Sequence, residues 1–263
     1  MTQPDRSPLT RVALLIPTYN ERDNLPGVVA RVRAAVPSAD VVVLDDNSPD
    51  GTGEVAATLA REDDHVHVIH RPGKAGLGAA YLDGFQWAID RGYDAVVEMD
   101  ADGSHQPEHL PDLLDAAADA DVVIGSRWVP GGSIVNWPWH RKALSVGGNA
   151  YTRVLLGMEV HDATAGYRVY RTSALQQIGL ADVASQGYCF QVDLTWRAVR
   201  RGLTVVEVPI TFVEREIGDS KMSRAIVGES LRRITTWGIG HRAHQAKAAA
   251  GSLPRPQEKW HSL

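Results

Sequence analysis

Short, mostly apolar runs alternate with amphipathic stretches through the first half of this chain. Residues 12–16, 41–44, 66–69, 95–99 and 122–124 are rich in Val, Ile, Leu and Ala, and most run directly into a polar residue or proline. Such runs predict strands buried on both faces, because a half-exposed strand would alternate apolar with polar positions. Helical patterns lie between them. Asn24 and Pro26 open one with apolar spacing at Val28, Val29, Val32 and Val36; others span 52–61, 79–91 after a glycine-rich turn, and 110–118. Strands separated by helices predict an α/β fold, a mostly parallel sheet flanked by helices on both faces. The second half is less regular. Helical periodicity returns over 141–156, 190–201 and 224–242, the last an amphipathic C-terminal helix, and 204–212 reads as a strand or hairpin interrupted by Pro209. The expected organisation is a flexible N-terminus at 1–10, one domain at 11–242 and a flexible tail at 243–263 rich in Ala, Gly, Pro and charge.

In sheets of this kind, ligands sit beyond the carboxyl ends of the strands, near the point where strand order reverses. Polar clusters fall at three of those ends: residues 18–21, 45–50 and 100–105. In the third, Asp100-Ala101-Asp102 places two carboxylates one residue apart where a buried strand stops. Left unpaired they would repel and raise each other's pKa; a divalent ion removes that conflict and keeps positions open for phosphate oxygens. A plain polar turn is the alternative. In the second, Asp45-Asp46-Asn47-Ser48-Pro49-Asp50-Gly51-Thr52 consists of turn-forming residues. A turn does not require two adjacent acids, however, and a carboxylate there can accept hydrogen bonds from a base edge or a ribose hydroxyl.

Composition narrows the partners. The 263 residues carry a net charge of −5 with a pI near 6.0, which excludes bulk nucleic-acid binding and confines any phosphate site to a local group of cations. One cysteine, Cys189, excludes a disulfide framework or thiolate metal site and reads as a small core residue. The polar N-terminus lacks the apolar core of a signal peptide, and no apolar run approaches the ~20 residues that span a bilayer. Work on a membrane would be done from its surface.

The remaining candidates are cations and aromatics. Arg127 ends Gly125-Ser126-Arg127 after a strand, and Arg215 and Lys221 flank a polar loop; such groups could fold over a diphosphate, or be solvated surface charges. Arg168, Arg171, Arg197, Arg200 and Arg201 read as structural or surface charges. Residues 71–78, Arg71-Pro72-Gly73-Lys74-Ala75-Gly76-Leu77-Gly78, lack the ending of a P-loop, so the glycines serve a turn. His65, His67 and His70 surround one strand, as a metal site or a solvated edge. Trp137 and Trp139 with nearby Arg141, and a helical face of Val227, Leu231, Ile234 and Trp237, fit either a membrane interface or ordinary packing.

Taken as an ordered set, Pro17-Thr18-Tyr19-Asn20-Glu21, the Asp45–Thr52 segment quoted above and Asp100-Ala101-Asp102 resemble the inverting GT-A glycosyltransferases of family 2. Gly125-Ser126-Arg127, Asp162-Ala163-Thr164-Ala165-Gly166-Tyr167-Arg168, Gly187-Tyr188-Cys189-Phe190-Gln191 and Ser220-Lys221-Met222 are similar to the polyprenyl-phosphate (dolichyl-phosphate) mannose synthases. The resemblance implies a GT-A (Rossmann-like) fold with a nucleotide-sugar half at 11–127 and an acceptor half at 128–242. It implies that Pro17, Tyr19, Glu21, Leu44 and Asp46 hold the nucleoside. Asp100 and Asp102 would bind Mg²⁺ or Mn²⁺ with the donor diphosphate, with the backbone at Ala101 against the nucleotide. Ser104 stands where some relatives carry a glutamine ligand. Arg127, Arg215 and Lys221 would neutralise phosphate charge and Arg141 would meet the acceptor phosphate, so that Asp102, Arg127 and Arg141 carry catalysis. The implied reaction moves mannose from GDP-mannose to a polyprenyl monophosphate with inversion, for cell-envelope glycan or glycoprotein synthesis. UDP-glucose or another donor is the alternative, with a nucleotidyltransferase or a non-catalytic nucleotide-sugar sensor more distant. The implied location is the cytoplasmic face of a membrane, bound peripherally, and the resemblance allows a separate membrane-anchoring protein as partner.

Overall fold

The computed structural model describes residues 6–183, 188–214 and 224–249. Its elements run β1 (Val12–Thr18), α1 (Leu25–Ala35), β2 (Asp40–Asp45), α2 (Thr52–Glu62), β3 (Val66–His70), α3 (Leu77–Asp90), β4 (Ala95–Glu98), α4 (Leu110–Ala116) and β5 (Val122–Ser126). Then come β6 (Ser133–Val135), α5 (Trp139–Leu156), β7 (Arg168–Arg171), α6 (Thr172–Ile178), α7 (Tyr188–Arg200), β8 (Val205–Pro209), β9 (Thr211–Val213) and α8 (Arg224–Ala249). The apolar runs do form strands, and the helices between them fall within a few residues of their expected bounds.

Seven strands make the main sheet in the order β3-β2-β1-β4-β7-β5-β8, and all its pairings are parallel except those of β7. From β1 the chain builds outward through β2 to β3, then returns to place β4 on the other flank of β1. The order therefore reverses between β1 and β4, and the crevice beyond their carboxyl ends is the expected ligand position. Thr18, Asp45 and the residues after Glu98 all reach that edge.

One face of the sheet packs against α1, α2 and α4 through Leu14, Ile16, Val28, Val32, Leu110 and Leu113. The other packs against α3, α6, α7 and α8 through Leu15, Leu44, Tyr81, Phe85, Phe190 and Ile234. Gly84 lets α3 lie close: a Cβ there would come within 2.8 Å of Leu15 Cδ1 and 3.0 Å of Leu44 Cδ1.

Two features depart from the expected pattern. Residues 204–212 do not form a hairpin: β8 joins β5 in the main sheet, whereas β9 pairs in parallel with β6. Pro209 ends β8, and the buried Ile210 passes the chain from one sheet to the other by bonding Ser126 and Ser133 backbone. The antiparallel β7 also went unforeseen, because Arg-Val-Tyr-Arg is not an apolar run. Its arginines are structural. Arg168 is fully buried and donates to the carbonyls of Ala163, Ala165 and Gln191 and to Thr195 Oγ1, and Arg171 donates to those of Ala117, Ala118 and Ala120.

Two of the four residues on the α8 face proposed for a membrane, Ile234 and Trp237, are turned inward, whereas Leu231 is 41% exposed. Ile234 is buried and Trp237 stacks on Trp196 at 5.7 Å, so this helix docks on the body as any surface helix does. It also continues past residue 242 to Ala249.

Candidate functional site

The adjacent acids at the end of β2 divide their work. Asp45 builds the turn: its carboxylate accepts Ser48 Oγ at 2.6 Å and Thr18 Oγ1 at 3.2 Å. Gly53 makes room for it, since a Cβ there would sit 2.9 Å from Asp45 Oδ2. Asn20 and Asn47 take the left-handed conformation that lets the two loops turn together, a conformation asparagine tolerates. Asp50 then accepts Thr52 N–H and O–H and Arg22 N–H, while Thr52 Oγ1 accepts Glu21 N–H at 3.0 Å. Pro17, Tyr19 and Glu21 are thereby held against 45–52, as a nucleoside cradle needs.

Asp46 points elsewhere, onto the buried guanidinium of Arg71, which also donates Nε–H to Asp83 at 2.7 Å. Burial raises the Asp46 pKa, and the Arg71 charge and hydrogen bond restrain that rise. The ammonium of Lys74 lies 4.3 Å from the centre of the Tyr19 ring. Leu44 differs from expectation: it has no exposed surface and packs beneath the site, so it supports the loop without offering a contact to a nucleoside.

At the end of β4, the Asp100 and Asp102 side chains are partly exposed and Ala101 is buried between them. Their loop is locked from within. His105 Nδ1 accepts Asp100 N–H at 3.0 Å, which leaves the proton of a neutral ring on Nε2. The ring is buried, stacks on Tyr167 at 4.9 Å and meets the edge of Phe212. Asp102 Oδ1 accepts Ser104 N–H at 3.0 Å, and Gly103 takes the positive φ that closes the turn.

Two carboxylates and a hydroxyl are hard oxygen donors that suit Mg²⁺ or Mn²⁺. Ser104 Oγ is buried with no hydrogen-bond partner among the described residues, the kind of orphaned group that a cation or its hydration shell satisfies. Among the described residues no three His, Cys, Asp or Glu side chains converge on one point. A cation held by Asp100, Asp102 and Ser104 would take its remaining ligands from water and phosphate oxygens. The same finding turns the His65/His67/His70 alternative toward a solvated edge. His65 Nδ1 meets Asp40 at 2.6 Å beside a cavity of about 890 Å³ at the amino ends of β2 and β3, away from the acids.

Arg127, at the end of β5, is buried and bound in a fork to Asp162, Nε to Oδ2 and Nη2 to Oδ1 at 2.7 Å each. Burial alone would raise the Asp162 pKa, but the Arg127 charge and hydrogen bonds hold it below the ordinary value. Arg141, in the first turn of α5, pairs with Glu214. Both arginines lie over the Trp137 ring, the Arg127 guanidinium 5.4 Å and that of Arg141 4.9 Å from its centre. Trp137 is thus a packing partner of the site, whereas Trp139 is 80% exposed. Arg215 and Lys221 lie outside the described residues. The structure brings Asp46, Asp100 and Asp102 to the ends of β2 and β4, the strands that flank β1, and sets Arg127 and Arg141 about one indole.

Four residues escaped the sequence reading as members of the site: Arg71, His105, Asp162 and Glu214. Asp162 and Glu214 partner their arginines from 35 and 73 residues away, and nothing local announces such pairings. His105 had a signal in its place at the end of the third polar cluster.

The family model described as "Glycosyl transferase family 2" matches residues 13–179. The chain is 57% identical over 242 residues to the polyprenol monophosphomannose synthase of Mycolicibacterium smegmatis, covering 91% of each. It is 57% identical over 241 residues to the undecaprenyl-phosphate mannosyltransferase of Micrococcus luteus, covering 92% of this chain and 99% of that one. Among solved structures, glucosyl-3-phosphoglycerate synthase of Mycobacterium tuberculosis with Mn²⁺, UDP and glucosyl-3-phosphoglycerate superposes with a TM-score of 0.61. It covers 94% of this chain and 82% of that one at 18% identity, a likeness of fold.

Proposed function

The chain belongs to glycosyl transferase family 2, and from that membership we propose that it transfers mannose from GDP-mannose to a polyprenyl monophosphate with inversion. The identity shared with two named mannosyltransferases along nearly the whole chain carries this reading.

The acceptor phosphate attacks as an oxyanion, already a competent nucleophile at neutral pH, so no general base is required. Its oxygen forms the new bond to the sugar's anomeric carbon as the bond to the GDP oxygen breaks on the opposite face. The residues supply placement and charge. The loops at 17–21 and 45–52 seat the nucleoside, with Asp46 fixed by Arg71. Asp100 and Asp102 would hold Mg²⁺ or Mn²⁺, which would supply positive charge to the departing diphosphate. Because Asp162 balances its charge, Arg127 contributes directed hydrogen bonds more than net charge. Arg141 would meet the acceptor phosphate.

No described helix is long and apolar enough to cross a membrane. We place the lipid-facing surface on α5, where Trp139, Leu144, Val146 and Val154 are exposed, rather than on α8, whose Ile234 and Trp237 dock inward. The test is an assay of purified protein with labelled GDP-mannose and UDP-glucose, a short polyprenyl phosphate and Mg²⁺ or Mn²⁺. Lipid-linked mannose is expected; product from UDP-glucose alone would reassign the donor, and no lipid-linked product from either would overturn the reading.

A further inference from the structure

We propose that Glu214 is an internal stand-in for the acceptor phosphate, so that acceptor binds at Arg141 by exchanging one anion for another. The inference rests on Arg141 being the acceptor contact. Glu214 follows directly on β9, and its N–H bonds Val135 O at 3.1 Å, so the small β6–β9 sheet carries the carboxylate to the start of α5. There Nη1 of Arg141 meets Glu214 Oε2. Helix α5 has no acid in its first turn and no side-chain cap on its amino end. A carboxylate supplied through Arg141 is therefore the complement that this end of the helix lacks.

The contrast with the neighbouring pair shows why this one suits exchange. Arg127 and Asp162 are 7% and 0% exposed and locked by a fork, with Arg127 N–H as a third bond. Arg141 and Glu214 are 20% and 22% exposed, open enough for a dissolved anion to compete, yet sheltered enough for the charge to count. A phosphate offers the same oxygen pair to a guanidinium as a carboxylate does, with greater charge. Arg127 and Arg141 both lie over Trp137, so an anion arriving at Arg141 enters a place already lined by two guanidiniums. Trp137 Nε1 is itself buried without a partner among the described residues, a donor for whichever anion settles beside it. Only a ligand bringing its own negative charge displaces Glu214 at little cost. Glu214 is thus a specificity residue that favours a prenyl phosphate over the corresponding alcohol.

The test is a double-mutant cycle by calorimetry on the full chain, with farnesyl phosphate and farnesol as probes. Glu214→Gln is expected to tighten farnesyl phosphate by about threefold to tenfold and to leave farnesol unchanged, with the acceptor KM falling while kcat holds. Glu214→Asp, which keeps the charge and shortens the reach, should show a smaller gain. In an Arg141→Ala background the gain should vanish. Unchanged or weaker binding in Glu214→Gln, or an equal gain without Arg141, overturns the proposal. Were wild type to yield no lipid-linked sugar while the cycle held, anion exchange at Arg141 would stand and the mannosyl-transfer reading would fall.

Discussion

Arg127 and Asp162 face each other as a buried fork, with two bonds of 2.7 Å, and the Arg127 guanidinium lies over both Trp137 and Phe212. Asn149 adds a bond to the same carboxylate at 3.1 Å. The pair ties the end of β5 to the segment before β7, and so fixes one wall of the proposed site.

Asp162→Asn should therefore destabilise the protein by about 3 kcal/mol at neutral pH, because it leaves the Arg127 charge buried without its counter-ion. The folded pKa of Asp162 is lowered from 3.8, so its contribution is complete above that value and disappears as pH falls through the lower, folded one. Urea titrations of both proteins from pH 7 downward should show the gap between them closing below pH 4. A gap constant with pH would mean that charge at Asp162 is not what stabilises the wall.

Asp102→Ala should lower metal-dependent turnover by about 100-fold or more and leave the unfolding midpoint nearly unchanged. Asp102 is partly exposed, and it accepts Ser104 N–H at 3.0 Å within its own turn. Chelation of the wild type should produce the same loss, reversed by Mn²⁺ or Mg²⁺. Near-normal activity in the variant would remove Asp102 from the metal site.

Glu98 gives a pH dependence of opposite sign. It is fully buried, and burial pushes its pKa up to about 8, against the Arg168 charge and the Gln191 hydrogen bond, with the Asp100 charge adding to the rise. A folded value above the unfolded 4.5 means that the native state holds the proton more tightly. Stability should fall as pH rises from 4.5 to 8, by a few kcal/mol in order of magnitude. Glu98→Gln, titrated free of metal, should be flat across that range and more stable than wild type at its upper end. Parallel curves would show that Glu98 ionises in place without cost.

Much of this was legible in the sequence for a physical reason. Strands buried on both faces must be apolar throughout, so β1 to β5 announced themselves, and so did the polar clusters where three of them end. What stayed hidden was non-local. Arg168 reads as either a structural or a surface charge until β7 is threaded between β4 and β5, where carbonyls close around it. The four apolar residues spaced along α8 fit a bilayer or a core equally well, and only the packing itself shows that Ile234 and Trp237 belong to the core. Countercharges such as Asp162 and Glu214 carry no periodicity at all.

Gly132 offers the sharpest separation of site from scaffold. A Cβ there would come within 2.7 Å of Ser126 O and 2.8 Å of Arg127 O, backbone atoms that cannot rotate aside. Gly132→Ala must therefore push the end of β5 outward and carry Arg127 away from Asp162. A cost of about 1–3 kcal/mol is expected from overpacking, with a fall in kcat larger than the stability loss explains at assay temperature. Gly147→Ala is the control. It sits exposed within α5 with nothing within 4 Å of its added Cβ, and should gain about 0.5–1 kcal/mol from helix propensity while activity holds. Equal kcat in wild type and Gly132→Ala would show that the position of Arg127 does not govern turnover.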